Sequence, residues 1–210
     1  MAKREDGKET RRRLLDAACE VFARKGYRNA KVADICRCAG ANVASVNYYF
    51  GGKDSLYKEA YLHGLKRVGE RFFPDSASGS SQVRLRDYIQ TLIQNFAADG
   101  DLGRISRLYL IEMVNPTGLI QDAWHNTVEP IRRKLQSIIR DLLGPDAQEI
   151  DVRLCELSII NQCRMLVTVN RNDLEYMLGA PLDPALVGRL ADHIADFSLA
   201  GIKALVKRKP

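Results

Sequence analysis

The 210-residue chain is 46% hydrophobic and 28% charged, the composition of an ordinary globular protein long enough to bury a core without disulfide staples. No apolar run approaches the roughly 20 residues that cross a bilayer, and the charged start Met1-Ala2-Lys3-Arg4-Glu5-Asp6 lacks a signal peptide's apolar stretch, so a cytoplasmic protein is expected and no membrane partner. Residues 1–67 hold 15 Lys/Arg against 8 Asp/Glu while the other 143 hold 17 against 18, a segregation expected of either a polyanion-binding head or a solubilising basic face.

Helical periodicity recurs from end to end and strand-like alternation is scarce, so an all-α fold is expected. Leu14, Leu15, Ala18, Val21 and Phe22 fall in one arc of about 120°. Thr10 is a candidate N-cap for that helix and Gly26 its terminator. A short second helix carries Val32, Ile35 and Ala39 on its apolar face and ends at Gly40. A third follows Asn42, itself a capping residue, and a fourth runs from Lys53-Asp54 towards Phe73. Pro74 to Gln82 is rich in Gly and Ser and reads as a flexible connector. Further helices are expected over about 83–98, 103–113, 120–143, 149–169 and 184–206, punctuated by Gly100, Pro116-Thr117-Gly118, Gly144-Pro145 and Gly179-Ala180-Pro181. The five cysteines are odd in number and none has zinc spacing, so reduced structural thiols are expected, with no metal site.

Residues 31–50 have the layout of a helix-turn-helix, two short helices joined by a tight turn at Ala39-Gly40-Ala41. With Val46 at the centre of the second helix's buried face and Phe50 a turn further on, Ala44, Ser45, Asn47 and Tyr48 point outwards. That outward set is small or polar and free of carboxylates. Small residues let a helix approach DNA closely, and Ser and Asn can read base edges or phosphates.

The sequence here resembles the TetR family of bacterial transcriptional regulators. The resemblance rests on Leu14-Leu15-Asp16-Ala17-Ala18, Phe22-Ala23-Arg24-Lys25-Gly26-Tyr27, Val32-Ala33-Asp34-Ile35-Cys36, Ala39-Gly40, and Tyr48-Tyr49-Phe50-Gly51-Gly52-Lys53-Asp54-Ser55-Leu56. It implies a three-helix DNA-binding domain over 8–68 and a helical effector-binding and dimerisation domain over 69–210. By that resemblance, residues 42–48 form the recognition helix. Asn42, Val43, Ala44, Ser45 and Asn47 lie at or near bases, while Tyr48, Tyr49 and Lys53 clamp phosphates. Two alternatives stay open: Val43 packing sideways and Tyr49 filling the core. Lys31 stands where the family often has a threonine, so a cationic phosphate contact replaces a hydroxyl one. Asn47 replaces the usual tyrosine and bears on sequence choice. Gly51-Gly52-Lys53 lacks the spacing and preceding strand of a nucleotide-binding loop, which leaves Lys53 to DNA.

In the last helix, Leu186, Val187, Leu190, Ile194, Phe197 and Leu205 share one arc, and Ala191, Ala195, Leu199, Ile202 and Val206 widen it to about 220°. One core-facing stripe is narrower, so two buried faces are expected. Leu154, Leu157, Ile159, Ile160, Met165, Leu166 and Val167 likewise surround the 149–169 helix. Pairing both helices with a second copy gives a homodimer that reads a palindromic operator in double-stranded DNA; one large monomeric bundle is the alternative. A small, mainly apolar effector is expected in the central region, with Phe96, Tyr109, Glu112, Met113, Trp124, His125, Cys163 and Met165 as candidate lining, each of which could instead be core. Glu112 lies in an apolar run and needs a partner or a ligand cation if buried; otherwise it marks a solvated edge. With three histidines and no recognisable catalytic arrangement, neither enzymatic activity nor a cofactor is expected. The expected function is thus a ligand-released repressor. The alternative is a DNA-binding protein of the same fold governed by a protein partner or by no effector.

Overall fold

The structure is a computed structural model that describes residues 2–72 and 79–207, apart from the side chains of 2–5, 67–72, 101, 123–125 and 127. Ten α-helices and no strand are found among the described residues. In order they are α1 (Ala2–Asn29), α2 (Val32–Ala39), α3 (Val43–Phe50), α4 (Lys53–Phe72), α5 (Ser81–Ala97), α6 (Asp101–Val114), α7 (Gln121–Leu143), α8 (Glu149–Thr168), α9 (Arg171–Leu178) and α10 (Pro184–Lys207). None is long and apolar enough to cross a membrane among the described residues.

Two compact units form. The first takes Met1–Glu70 together with Asp99–Asn126, the second Arg71–Ala98 together with Thr127–Pro210. The segment around α6, which follows the proposed 8–68 domain in sequence, therefore packs within the first unit, where α1 lies against both α2 and α6. Leu14, Leu15, Ala18, Val21 and Phe22 are buried as their spacing requires, with Ile35, Val46, Leu56, Tyr57 and Leu108.

Local chemistry sets most helix ends. Gly26 adopts φ 69°, which breaks α1 before one more turn to Asn29. Gly40, at φ 60°, closes α2 in the left-handed region that residues with a Cβ resist. Two expectations need correction. Thr10 is not an N-cap, since α1 begins at Ala2; its hydroxyl instead accepts a bond from Arg13 within the helix. The helix α9 was not expected, although Asn170 caps it through Asp173 N and Gly179 closes it. Most of the Pro74–Gln82 connector lies outside the described residues.

Gly64, inside α4, has a packing reason. A methyl placed there would sit 1.8 Å from Cδ1 of Ile105 on α6, a side chain only 4% exposed. Alanine favours a helix interior by about 1 kcal/mol over glycine, but overpacking costs about 1–3 kcal/mol. Gly64→Ala is therefore expected to destabilise the chain, and to become neutral or stabilising in an Ile105→Ala background. A double-mutant cycle by thermal denaturation checks this; additive effects would refute it.

In the second unit, α5 lies against α8 and α10, which also pack on each other. Leu85, Tyr88, Ile89, Leu92, Ile93 and Phe96 line the buried face of α5 at helical spacing. Between α7 and α8, Arg132 grips the buried Glu156 carboxylate through Nε at 2.6 Å and Nη2 at 3.1 Å, and Gln136 donates to it at 2.7 Å.

Candidate nucleic-acid interface

Helix α3 is held by its ends and its inner face. The Asn42 side chain accepts a bond from Ala44 N at 2.9 Å, and Gly51 closes the far end at φ 75°. Val46 and Phe50 are buried beneath it, and Arg11 of α1 lies over the Phe50 ring at 5.1 Å. Opposite that anchored face, Ala44, Asn47 and Tyr48 are exposed and Ser45 is half-buried. Tyr48 is 82% exposed and packs edge-on against Tyr49 at 4.8 Å. No acidic residue lies in the first turn of α3. The result is a short rigid ridge of small and polar groups without carboxylates.

Val43 is 49% exposed. Tyr49 is half-buried, its hydroxyl 3.3 Å from where a Cβ on Gly7 would stand, so the early turns of α1 brace it. Asn42 has its side-chain oxygen engaged in capping, which leaves its amide nitrogen as the outward group. Lys31 occupies the N-cap position of α2 with its side chain exposed and no capping bond. Below it, Asp34 in the first turn is bound by Lys25 at 2.7 Å and by Arg37 at 2.5 Å. The Lys25 ammonium foremost holds that carboxyl below the usual range.

Lys53 starts α4 with its ammonium 4.5 Å from the Tyr27 ring centroid, a cation–π contact. The Tyr27 hydroxyl donates to Asp54. Tyr27 in turn meets Tyr57 at 5.0 Å, and Phe22 meets Tyr57 edge-on at 4.8 Å. Burial, with the Glu112 carboxylate bonded to it, holds the Tyr57 hydroxyl protonated well above the ordinary tyrosine range. Sequence reasoning missed this aromatic support because its members are far apart in the chain.

The candidate ligand residues divide between the two units. Phe96 and Cys163 are buried in the apolar core of the second unit, and Met165 is half-buried on α8. On α6, in the first unit, Tyr109 is half-buried, Met113 is 39% exposed and Glu112 is buried. Of the alternatives for Glu112, the structure takes burial with a partner: it accepts bonds from Tyr57 and Thr117. The side chains of Trp124 and His125 lie outside the described residues. An open groove of about 380 Å³ in the first unit, lined by Arg12, Arg13, Asp16, Ala17, Glu20, Cys38, Ala39 and Arg104, takes in none of the candidates.

Comparison with known proteins places this ridge in a family. The model described as bacterial regulatory proteins, tetR family, matches residues 14–60, and that of the C-terminal domain of the HTH-type transcriptional dual regulator CecR matches residues 81–202. The HTH-type transcriptional dual regulator CecR of Shigella flexneri is 24% identical over 167 residues, 74% of each chain. The HTH-type transcriptional regulator BetI of Brucella anthropi is 32% identical over 88 residues, 42% of this chain and 44% of its own. Among solved structures, the transcriptional regulator FadR from Bacillus subtilis, in complex with stearoyl-CoA, shares the fold with a TM-score of 0.68 at 19% identity, covering 90% of this chain and 97% of its own. These relatives are regulators of transcription, not enzymes. The chain belongs to the TetR family of bacterial transcriptional regulators, a DNA-binding protein whose tetR-type helix-turn-helix is followed by a C-terminal domain of the CecR kind.

Proposed function

We propose that the protein is a homodimeric repressor whose two α3 helices read a palindromic operator, and that a mainly apolar small molecule releases it. The observation that carries the reading is the exposed, carboxylate-free face of α3, anchored from below by Val46 and Phe50. Asn42, Val43, Ala44, Ser45 and Asn47 are assigned to bases, and Lys31, Tyr48, Tyr49 and Lys53 to phosphates. Residues 8–68 form the proposed DNA-binding domain and 69–210 the effector and pairing domain.

Pairing is supported by large apolar side chains left outside on α8 and α10, among them Leu154, Leu157 and Phe197 at 53%, 54% and 63% exposure. Two heads joined in this way would meet successive major grooves roughly 34–36 Å apart. An effector would change that spacing through its different affinities for the two states. Apolar ligand chemistry is supported by the buried Phe96 and Cys163 and by the stearoyl-CoA held in the structurally similar FadR.

Selecting bound fragments from genomic DNA tests the reading. A palindromic site should be preferred over random DNA by about 10³ or more. Lys53→Ala should weaken binding to most sequences and flatten the salt dependence by roughly one unit. Asn47→Ala should instead relax base preference, at a cost of about 1–3 kcal/mol at one base pair. Identical behaviour of the two variants would refute this division between positioning and reading residues. A ligand that binds the operator complex without changing operator affinity would refute the release mechanism.

A further inference from the structure

Two carboxylates are buried among the described residues, and they are held differently. Glu156 has an arginine partner. Glu112 has no ion pair among the described residues, where its two oxygens accept from three neutral donors. The Tyr57 hydroxyl bonds Oε2 at 2.7 Å, while the backbone N–H and the hydroxyl of Thr117 each bond Oε1 at 2.8 Å. A buried carboxyl met, among the described residues, only by neutral donors is a costly way to join two helices that an apolar side chain could join as well. What it adds is direction. One oxygen faces α4, and the other faces the turn that follows α6.

The α4 end of this arrangement leads to DNA. Tyr57 lies four residues after Lys53, on the same face of α4. The Tyr27 ring neighbours both, 5.0 Å from the Tyr57 ring and 4.5 Å from the Lys53 ammonium. The other end leads to the rest of the chain. Asp99–Asn126, which carries Glu112 and Thr117, runs at both of its ends directly into segments of the second unit.

We propose that Glu112 is a positioning residue for DNA binding: by holding the Tyr57 hydroxyl it fixes the Tyr27 ring and so the Lys53 ammonium, making one phosphate contact depend on where Thr117 lies. The proposal rests on the reading that Lys53 meets phosphate. Withdrawal of Thr117 takes two of three donors from Glu112, loosens Tyr57 and weakens DNA binding without touching α3. Base preference stays as it was, because the residues assigned to bases are not in the chain of contacts.

The test uses the full chain carrying Tyr57→Phe, which removes the hydroxyl and keeps the ring. Binding to a random-sequence duplex and to a duplex selected by the protein is measured between about 50 and 200 mM salt. Tyr57→Phe is expected to weaken both about 3- to 10-fold and to lower the salt slope by up to one unit, approaching Lys53→Ala. The double variant should bind like Lys53→Ala alone. Glu112→Leu should behave like Tyr57→Phe, and Glu112→Gln should fall between it and the unmutated chain, because its amide presents oxygen to Tyr57 or to Thr117 but not to both. Circular dichroism and thermal melting check that each variant is folded. If Tyr57→Phe lowers only the melting temperature, or if its effect and that of Lys53→Ala multiply, the link through Glu112 is wrong. If Lys53→Ala leaves the slope unchanged, the phosphate assignment itself fails and the link fails with it.

Discussion

Replacing Leu157 and Phe197 together by glutamate is expected to turn the proposed homodimer into a folded monomer whose DNA affinity has fallen by about 10²-fold or more. Leu157 is 54% exposed on α8 and Phe197 63% exposed on α10. Each helix already buries its other face, α8 through Val152, Cys155, Ile159 and Cys163, and α10 through Ala191, Ile194, Ala195 and Ile202. The outer residues of α8 are not scattered. Ile150, Leu154 and Leu157, spaced four and three apart, make a single stripe on a helix that packs against α10. Such a stripe on the same fold unit as Phe197 suits a symmetric partner. Glutamates there do not disturb the inner core, but in a paired form they would place four buried negative charges around the twofold axis. Light scattering gives the oligomeric state, and binding to a full and a half operator gives the affinity loss. A double variant that remains dimeric would move the pairing surface elsewhere on the chain.

The largest single-residue loss of stability is expected for Phe22→Ala. Phe22 is fully buried in the first unit, edge-on to Tyr57 at 4.8 Å and stacked with Tyr27 at 6.2 Å. Truncation of such a side chain costs about 3–5 kcal/mol, which for a chain of this length lowers the melting temperature by on the order of 10 °C. Because both rings it supports lead to Lys53, DNA binding should weaken even at temperatures where the variant is folded. Phe22→Leu, which refills much of the space, should lose less on both counts. A loss below about 1 kcal/mol for the alanine variant would mean that neighbouring side chains close the cavity.

Much of the architecture is legible in the sequence because its punctuation is local. Gly26, Gly40 and Asn42 act through their own backbone and side-chain chemistry, so their positions mark element ends before any packing is known. The buried stripes of α1 and α5 follow from spacing alone. The start of α1 was not legible, because Ala2 to Arg13 is mostly charged and offers no apolar face to betray a helix. Helix α9 hid for a related reason: only Leu174 is buried, while Tyr176 and Met177 are 88% and 70% exposed. Asn170 and Gly179 were nevertheless readable as its two ends.

The face of α3 was legible because, in a helix of eight residues, Val46 and Phe50 turned to the core fix which way the others point. What supports that face was not. Glu112 and Tyr57 are 55 residues apart, and no local pattern announces that α6 returns to lie against α1. The burial of Glu112 could be posed as a question from its apolar neighbours, but its partners could be named only from the fold.

Of the five cysteines, Cys19, Cys36, Cys155 and Cys163 are buried, and burial pushes the Cys163 thiol up to about 12. Cys38 alone among them is exposed, on the outer side of α2. A maleimide fluorophore should therefore attach to the native protein at a single place, one helix away from the proposed DNA-reading surface. The unmutated chain thus offers its own optical reporter, with which docking and release can be followed in real time by quenching or anisotropy.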